Sequence, residues 1–179
     1  LALPIPFEPV HLLFINLLTD SLPAIALGME KPEKDLLSQK PRNPKQGILS
    51  KDFVCLMFGQ GALIAASTLI AFYIGLQTNA AAASTMAFST LTLARLFHGF
   101  NCRSKHSIFK LGFTSNYYSI GAFFAGVFFL SFVLFVPFMQ PLFSVEPLTA
   151  AQAGFIGLLA FIPTVIIQAV KVISEKIKK

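Results

Sequence analysis

Long stretches without charge dominate the chain and predict its secondary structure. No Asp, Glu, Lys or Arg occurs in residues 53–94, 111–145 or 147–170. A helix that crosses a bilayer needs about 20 predominantly apolar residues. The first stretch is long enough for two such helices, separated at Gln77-Thr78-Asn79, and the other two stretches hold one each. With a further apolar segment near the N-terminus, the pattern predicts five membrane spans, at residues 9–29, 53–76, 80–101, 116–138 and 150–172.

The composition also favours a membrane protein. Of the 179 residues, 55% are hydrophobic and only 12% are charged, and Phe alone occurs 20 times. Globular domains carry about 25% charged residues, and the mean hydropathy of +0.71 is correspondingly high. The predicted fold class is an all-α membrane protein, a bundle of five transmembrane helices with one polar connector at residues 30–52.

The positive charges predict the orientation of the bundle. If five spans alternate in direction, all but one of the 14 Lys and Arg fall on one side of the membrane, and the exception, Arg95, lies inside a span. The opposite side carries only Glu8 and Glu146. The positive-inside rule places the basic side, and with it the C-terminus, in the cytoplasm. The net charge of +6 therefore indicates membrane topology, and no nucleic-acid partner is expected.

A polar group inside the first span is the strongest sign of chemistry. Asn16, Thr19 and Asp20 lie at i, i+3 and i+4, so an α-helix would place them on one face. Pro23 follows, and it cannot donate a hydrogen bond to the carbonyl of Thr19. An amide, a hydroxyl, a carboxylate and a free carbonyl are the oxygen ligands that Ca²⁺ requires. The pattern predicts a metal site at a helix break.

Arg95 is the other charged residue inside a span. A charge at mid-membrane costs a few kcal/mol, so it is normally paired or functional. Asp20 is the only Asp or Glu inside a predicted span, so an ion pair between Asp20 and Arg95 is the simplest hypothesis. Arg95 would then line the site. The alternative is that Arg95, which is about six residues from the end of its span, extends to the cytoplasmic interface.

Other polar residues are assigned structural roles. His11, near the outer end of the first span, is expected to be a solvated interfacial histidine and not a ligand. Cys55 and Cys102 are expected to be reduced, because two cysteines without a neighbouring His make a poor metal site.

The first span also carries a family resemblance. Residues 9–24, PVHLLFINLLTDSLPA, resemble the sixth transmembrane helix of P-type calcium-transporting ATPases, and residues 40–45, KPRNPK, resemble the loop between helices six and seven. The resemblance covers the whole chain, as helices six to ten of a ten-helix membrane domain, and is most specific over residues 9–45. It implies part of an ATP-driven translocase that exports Ca²⁺ from the cytoplasm across the plasma membrane.

The resemblance also implies roles for individual residues. Asn16 and Asp20 resemble ligands of the ion site that all calcium pumps of the family share, whereas Thr19 resembles a ligand of a second site and is the weaker assignment. That second site also uses a Glu on helix eight, and the aligned position here holds Arg95. A guanidinium is never deprotonated in proteins and accepts no hydrogen bond, so it cannot bind a cation. The resemblance therefore implies the single-site bacterial and plasma-membrane branch, with one Ca²⁺ per ATP and proton counter-transport.

No catalytic residue is assigned to this chain. It contains neither an Asp-Lys-Thr-Gly phosphorylation motif nor a P-loop. The resemblance implies that ATP and Mg²⁺ bind domains upstream, and that helices one to five supply the remaining ion ligands. The partners expected are that N-terminal part of the pump and the lipid bilayer.

Three other interpretations stay open. A P-type pump for Mn²⁺ or Na⁺ would use similar oxygen ligands, although sodium/potassium pumps place an Asp where Asn16 stands. A secondary transporter, such as a cation antiporter, also uses broken helices at the bilayer midplane, but the other intramembrane proline, Pro163, has no carboxylate near it. A non-catalytic membrane scaffold would leave Asp20 and Arg95 unexplained.

Overall fold

The computed structural model describes residues 4–32 and 49–177, and every regular element in this part of the chain is helical. Most of the predicted connector at residues 30–52, including residues 40–45, lies outside the described residues. The predicted all-α membrane class is confirmed. In chain order the elements are α1 (Pro9–Phe14), a π-helical segment (Ile15–Asp20), α2 (Ser21–Gly28), α3 (Lys51–Leu76), α4 (Ala80–Cys102), α5 (Ile108–Leu111), a 3₁₀ turn (Phe113–Ser115), α6 (Tyr117–Phe135), α7 (Met139–Leu142) and α8 (Ala150–Ile177).

Four helical stretches of the described chain are long and apolar enough to cross a membrane: Pro9–Gly28, Phe53–Leu76, Tyr117–Phe135 and Ala150–Ile177. The remaining predicted span corresponds to α4, which has 23 residues and therefore sufficient length. Its run of hydroxyl side chains and its arginine reduce its apolar character. The described structure thus supports four of the five predicted spans by composition, and the fifth stays a prediction.

The less apolar helix, α4, lies at the centre of the bundle. It contacts α2, α3, α6 and α8, and its residues Ala83, Ala87 and Phe88 are completely buried. Small residues such as Ala, Ser and Thr let helix backbones approach closely within a membrane. Because neighbouring helices cover α4, its hydroxyl groups do not have to face lipid.

Local sequence explains where the long helices begin. Ser50, Asn79 and Asn116 precede α3, α4 and α6, and each side chain accepts a hydrogen bond from a backbone N–H in the first turn. These are the residue types that most favour an N-cap. The helix starts therefore depend on residues within one turn of the boundary.

A proline explains one difference from the predicted boundaries. The fourth span was expected to reach residue 138, but α6 ends at Phe135, because Pro137 forces Val136 into an extended conformation. In contrast, α8 continues through Pro163 to Ile177, five residues beyond the predicted end of the fifth span. Membrane helices tolerate an internal proline when neighbouring groups satisfy the freed backbone carbonyl.

The expectation that His11 is solvated is wrong. Its ring is completely buried and stacks on Phe88 with 4.3 Å between ring centroids. The backbone N–H of Glu8 donates to Nδ1 (3.1 Å), so Nε2 carries the hydrogen and donates to the carbonyl of Phe143 (2.7 Å). His11 therefore joins the start of α1 to the segment after α7.

Candidate cation-binding site

The first span changes its hydrogen-bonding pattern at the polar group. Residues Ile15–Asp20 are π-helical, between α1 and α2. The sequence predicted a break at Pro23, and the irregular turn lies just before that residue, while Pro23 itself sits in the first turn of α2. A proline is tolerated in the first turn of a helix because an N–H there would have no partner within the helix. Its ring also clashes with the carbonyl of the residue four positions back, here Thr19, and this clash disfavours a regular α-helical turn before Pro23. The irregular turn is consequently placed at Ile15–Asp20.

The π-helical turn separates side chains that an α-helix would align. Thr19 is buried, with 1% of its surface exposed, and its hydroxyl donates to the carbonyl of Ile15 (2.7 Å). Asn16 is exposed, and its backbone carbonyl accepts a hydrogen bond from the Ser21 hydroxyl (3.2 Å). A π-helix bonds residue i to i+5 and so places more residues in each turn than an α-helix. Asn16, Thr19 and Asp20 therefore do not share one environment.

Asp20 forms an ion pair with Arg95. The Nη2 atom of Arg95, on α4, donates to Oδ2 of Asp20 at 2.5 Å. The two side chains keep 38% and 35% of their surface exposed, so the carboxylate is accessible from one side while it is paired on the other. Both residues lie within helices of the apolar bundle, where a charged group is normally paired or functional.

A second ion pair, between Arg103 and Glu30, anchors the other end of α2. Nε and Nη2 of Arg103 each donate to one carboxylate oxygen of Glu30 at 2.9 Å. The Arg103 side chain is completely buried, and it also donates to the Phe113 carbonyl (3.2 Å) and to the Ser115 hydroxyl (2.5 Å). Asn116 donates to both the Ala26 carbonyl and Glu30. These contacts join the end of α2 to the end of α4 and the start of α6.

The sequence interpretation missed this anchor. Glu30 was assigned to the polar connector at residues 30–52, and Arg103 was counted only among the basic residues of one side of the membrane, although each lies within two residues of the end of a helix at the same face of the bundle. That common position was the available signal. It could not indicate which basic residue pairs with which acidic residue.

The anchor gives a prediction about pH. Its hydrogen bonds, first those from Arg103, lower the pKa of Glu30 from its usual value of 4.5. A group with a lowered pKa in the folded state stabilises the protein above its unfolded pKa, and this contribution is lost as the pH falls through the folded pKa. We expect the thermal midpoint of the purified protein to fall as the pH is lowered past 4.5. A Glu30→Gln variant should lose part of this dependence, and an identical pH profile would contradict the assignment.

The last helix holds the connection between α4 and α6. Lys171 donates to the carbonyls of Asn101 and Ser104, both at 2.6 Å, which satisfies the C-terminal end of α4. Gln168 donates to Asn101 (2.7 Å), and Glu175 accepts from the Ser107 backbone and hydroxyl. This half of α8 is therefore a structural support, a role that the sequence interpretation did not assign.

The oxygen ligands at and near Asp20 would form only part of a binding site for a hard cation. The described residues contain no group of three or more His, Cys, Asp or Glu side chains able to hold a metal. Asp20 supplies one carboxylate, Asn16 an amide and Thr19 a hydroxyl. Ca²⁺ takes six to eight oxygen ligands, so these three groups would form only part of a complete site.

A bundle of long apolar helices with an ion pair between two of them defines an integral membrane protein. The family described as "Cation transporting ATPase, C-terminus" matches residues 4–173. The chain belongs to this family, which confirms the resemblance stated from the sequence.

Individual relatives cover nearly the whole chain. A calcium-transporting ATPase of Bacillus subtilis (strain 168) is 40% identical over 167 residues, 92% of this chain and 19% of the relative. A calcium-transporting ATPase of Listeria monocytogenes is 39% identical, over 97% of this chain and 20% of the relative. The human calcium-transporting ATPase type 2C member 1 is 30% identical, over 98% of this chain and 20% of the relative. The chain thus spans about a fifth of the length of these relatives.

Proposed function

We propose that this chain is the C-terminal membrane part, helices six to ten, of a P-type pump that exports Ca²⁺ from the cytoplasm. Support comes from family membership over residues 4–173 and from relatives that are named calcium-transporting ATPases. The phosphorylated Asp and the sites for ATP and Mg²⁺ would belong to domains upstream. The chain by itself would then be neither an ATPase nor a pump.

The observation that carries the proposal is the Asp20 carboxylate. It is the last residue of the π-helical segment Ile15–Asp20 within a membrane helix, is partly exposed, and has a single cationic partner in the described structure, Arg95. Asp20 would be the charged ligand of the transported ion. Asn16 is the second ligand, because its side chain is exposed, and Thr19 is weaker, because its hydroxyl is buried and bonded to Ile15.

In this proposal Ca²⁺ and Arg95 compete for the same carboxylate. The ion pair would form when no calcium is bound, and arrival of Ca²⁺ would displace the guanidinium from Oδ2 of Asp20. Return of Arg95 after release would again give the Asp20 carboxylate a positive partner in place of the metal. One Ca²⁺ per ATP follows if Arg95 occupies the space of a second ion, with protons moving in the opposite direction.

Orientation and location are part of the same proposal. The ends of α2, α4 and α8 carry the lysines and arginines, and by the positive-inside rule this face would be cytoplasmic. The C-terminus would then be cytoplasmic, and the membrane would be the plasma membrane.

The test is ion-dependent ATP hydrolysis and uptake by the full-length protein in sealed vesicles. We expect ATP-driven accumulation of radioactive Ca²⁺, with Mn²⁺ a weaker substrate and no dependence on Na⁺. ATP-independent exchange of Ca²⁺ would instead identify a secondary transporter. Uptake that depends on Na⁺ or that prefers Mn²⁺ would assign the pump to another cation.

Arg95→Glu gives a sharper prediction about stoichiometry. It replaces the blocking cation by a carboxylate, which is the ligand type that a second Ca²⁺ needs. We expect the Ca²⁺ bound per phosphorylated enzyme to rise from one towards two. Lys105→Glu is the matched control, because it makes the same change of charge at an exposed residue outside the spans, and it should leave the ratio at one. An unchanged ratio in Arg95→Glu would contradict the blocking role.

A further inference from the structure

Lysines and aromatic rings are exposed side by side between α4 and α6. Residues 105–118 include the exposed Lys105 and Lys110. Residues 102–119 contain no Asp or Glu. This surface, called here the 105–118 surface, therefore offers positive charge and ring area, and the Glu175 carboxylate of α8 that contacts it is bonded to Ser107 and His106. Its aromatic side chains are largely exposed, Phe109 by 82%, Phe113 by 55%, Tyr117 by 74% and Tyr118 by 61%.

The 105–118 surface lies at the level where the apolar part of the bundle ends. The backbone N–H of Ile108 donates to Gln168 at 3.0 Å, and Ser107 donates to Glu175. Gln168 is near the end of the charge-free residues 147–170, and Glu175 is about 10 Å further along α8. The short helix α5 is consequently beside the boundary between apolar and polar residues. Aromatic and basic side chains are typical of that boundary in membrane proteins.

The backbone of this surface is held in place before any ligand arrives. Glu175 binds Ser107 and His106, while Arg103 binds the Phe113 carbonyl and the Ser115 hydroxyl. A binding surface that is already ordered loses less conformational entropy on association. The Lys110 ammonium is 3.3 Å from Nδ1 of His106 and has three N–H donors, so donors remain for an anionic group.

We propose that the 105–118 surface binds the headgroups of anionic phospholipids in the surrounding bilayer. The Phe109 ring would enter the acyl boundary, and Lys105 and Lys110 would lie beside the phosphate groups. The positive charge of the two lysines favours an anionic lipid over a zwitterionic one. The position of α5 beside the boundary between apolar and polar residues favours a lipid over a soluble acidic protein. Each lysine near an anionic membrane contributes a factor of about five to binding. Lipid binding at this surface would not depend on which cation the protein transports.

The experiment uses a tryptophan as a local probe. This chain contains no Trp, so Phe109→Trp in the full-length protein adds one fluorophore, read as the difference from the parent protein. Vesicles are prepared with brominated phosphatidylglycerol or brominated phosphatidylcholine, which quench a tryptophan that they touch. We expect brominated phosphatidylglycerol to quench the added fluorescence at a several-fold lower mole fraction than brominated phosphatidylcholine does. The double change Lys105→Gln and Lys110→Gln should bring the two lipids close to equality.

Two controls locate the effect. Phe138→Trp places the probe at an exposed residue (72%) near the opposite end of α6, where both lipids should quench equally. Lys51→Gln removes an exposed lysine at the same end of the bundle and should leave the preference at position 109 unchanged. Equal quenching by both lipids at position 109 would overturn the proposal. Absence of quenching by either would also overturn it, because the surface would then face water or another protein.

Discussion

Asp20→Asn is expected to abolish ATP-driven Ca²⁺ transport by the full-length protein, through a Ca²⁺ affinity at least roughly a hundredfold weaker, since the number of charged ligands sets such affinities. The amide keeps the size of the side chain and one oxygen, but it removes the only carboxylate in the π-helical segment. Transport of radioactive Ca²⁺ into sealed vesicles, measured over a range of Ca²⁺ concentrations, checks the result. Glu146→Gln is the matched control, because it removes a carboxylate outside the spans and should change transport little.

A loss of transport in Asp20→Asn has to be separated from a loss of folding. The variant leaves the Arg95 guanidinium without its carboxylate inside the bundle, and an unpaired charge there is destabilising by itself. The double variant Asp20→Asn with Arg95→Gln removes that charge as well. We expect it to regain thermal stability but not transport. Full transport in either variant would show that Asp20 is not a ligand of the ion.

Arg103→Met is expected to cause the largest loss of stability, about 3–5 kcal/mol, which is typical when one member of a buried ion pair is removed. Methionine replaces the apolar stem, whereas Glu30 keeps a charge that is only 15% exposed. The hydrogen bonds to Phe113 and Ser115 are lost at the same time. Equilibrium denaturation of the full-length protein in mixed micelles measures the change in the free energy of unfolding.

Two further variants interpret that loss. Lys105→Met removes an exposed cation two residues along the chain and should stay within about 0.5 kcal/mol of the parent. The double variant Arg103→Met with Glu30→Met should recover part of the loss, because no uncompensated charge remains. An effect of Arg103→Met as small as that of Lys105→Met would mean that the pair with Glu30 is not formed.

The two ion pairs together hold α2 against the central helix. Arg95 contacts Asp20 just before α2, and Arg103 contacts Glu30 just after it. The first pair is partly exposed, whereas the second is nearly completely covered by protein. A cation that displaces Arg95 would therefore release one end of α2 while the other end stays attached. This asymmetry explains why we expect Asp20 variants to affect transport and Arg103 variants to affect stability.

The family and the helical class followed from the sequence because their signals are local. Charge-free stretches of about 20 residues identify spans wherever they occur, and the N-caps Ser50, Asn79 and Asn116 act within one turn. Asp20 and Arg95 were noticed because a charge inside a span is rare. Their roles in binding a cation remain predictions.

Tertiary structure decided the features that join distant residues. Asp20 and Arg95 are 75 residues apart in the chain, and Glu30 and Arg103 are 73 apart. No local pattern distinguishes an arginine that is completely buried from one that faces water. His11 was misjudged for the same reason, because its partner Phe143 is 132 residues away.

By itself, then, the sequence determined the apolar helices and the polar group before Pro23, since hydropathy and proline geometry act over a few neighbouring residues. Only the tertiary structure decided that the polar turn is π-helical, that Arg95 pairs with Asp20 and that the buried Arg103 pairs with Glu30. These features depend on how α4 packs between the other helices, and packing is a property of all the contacting surfaces together.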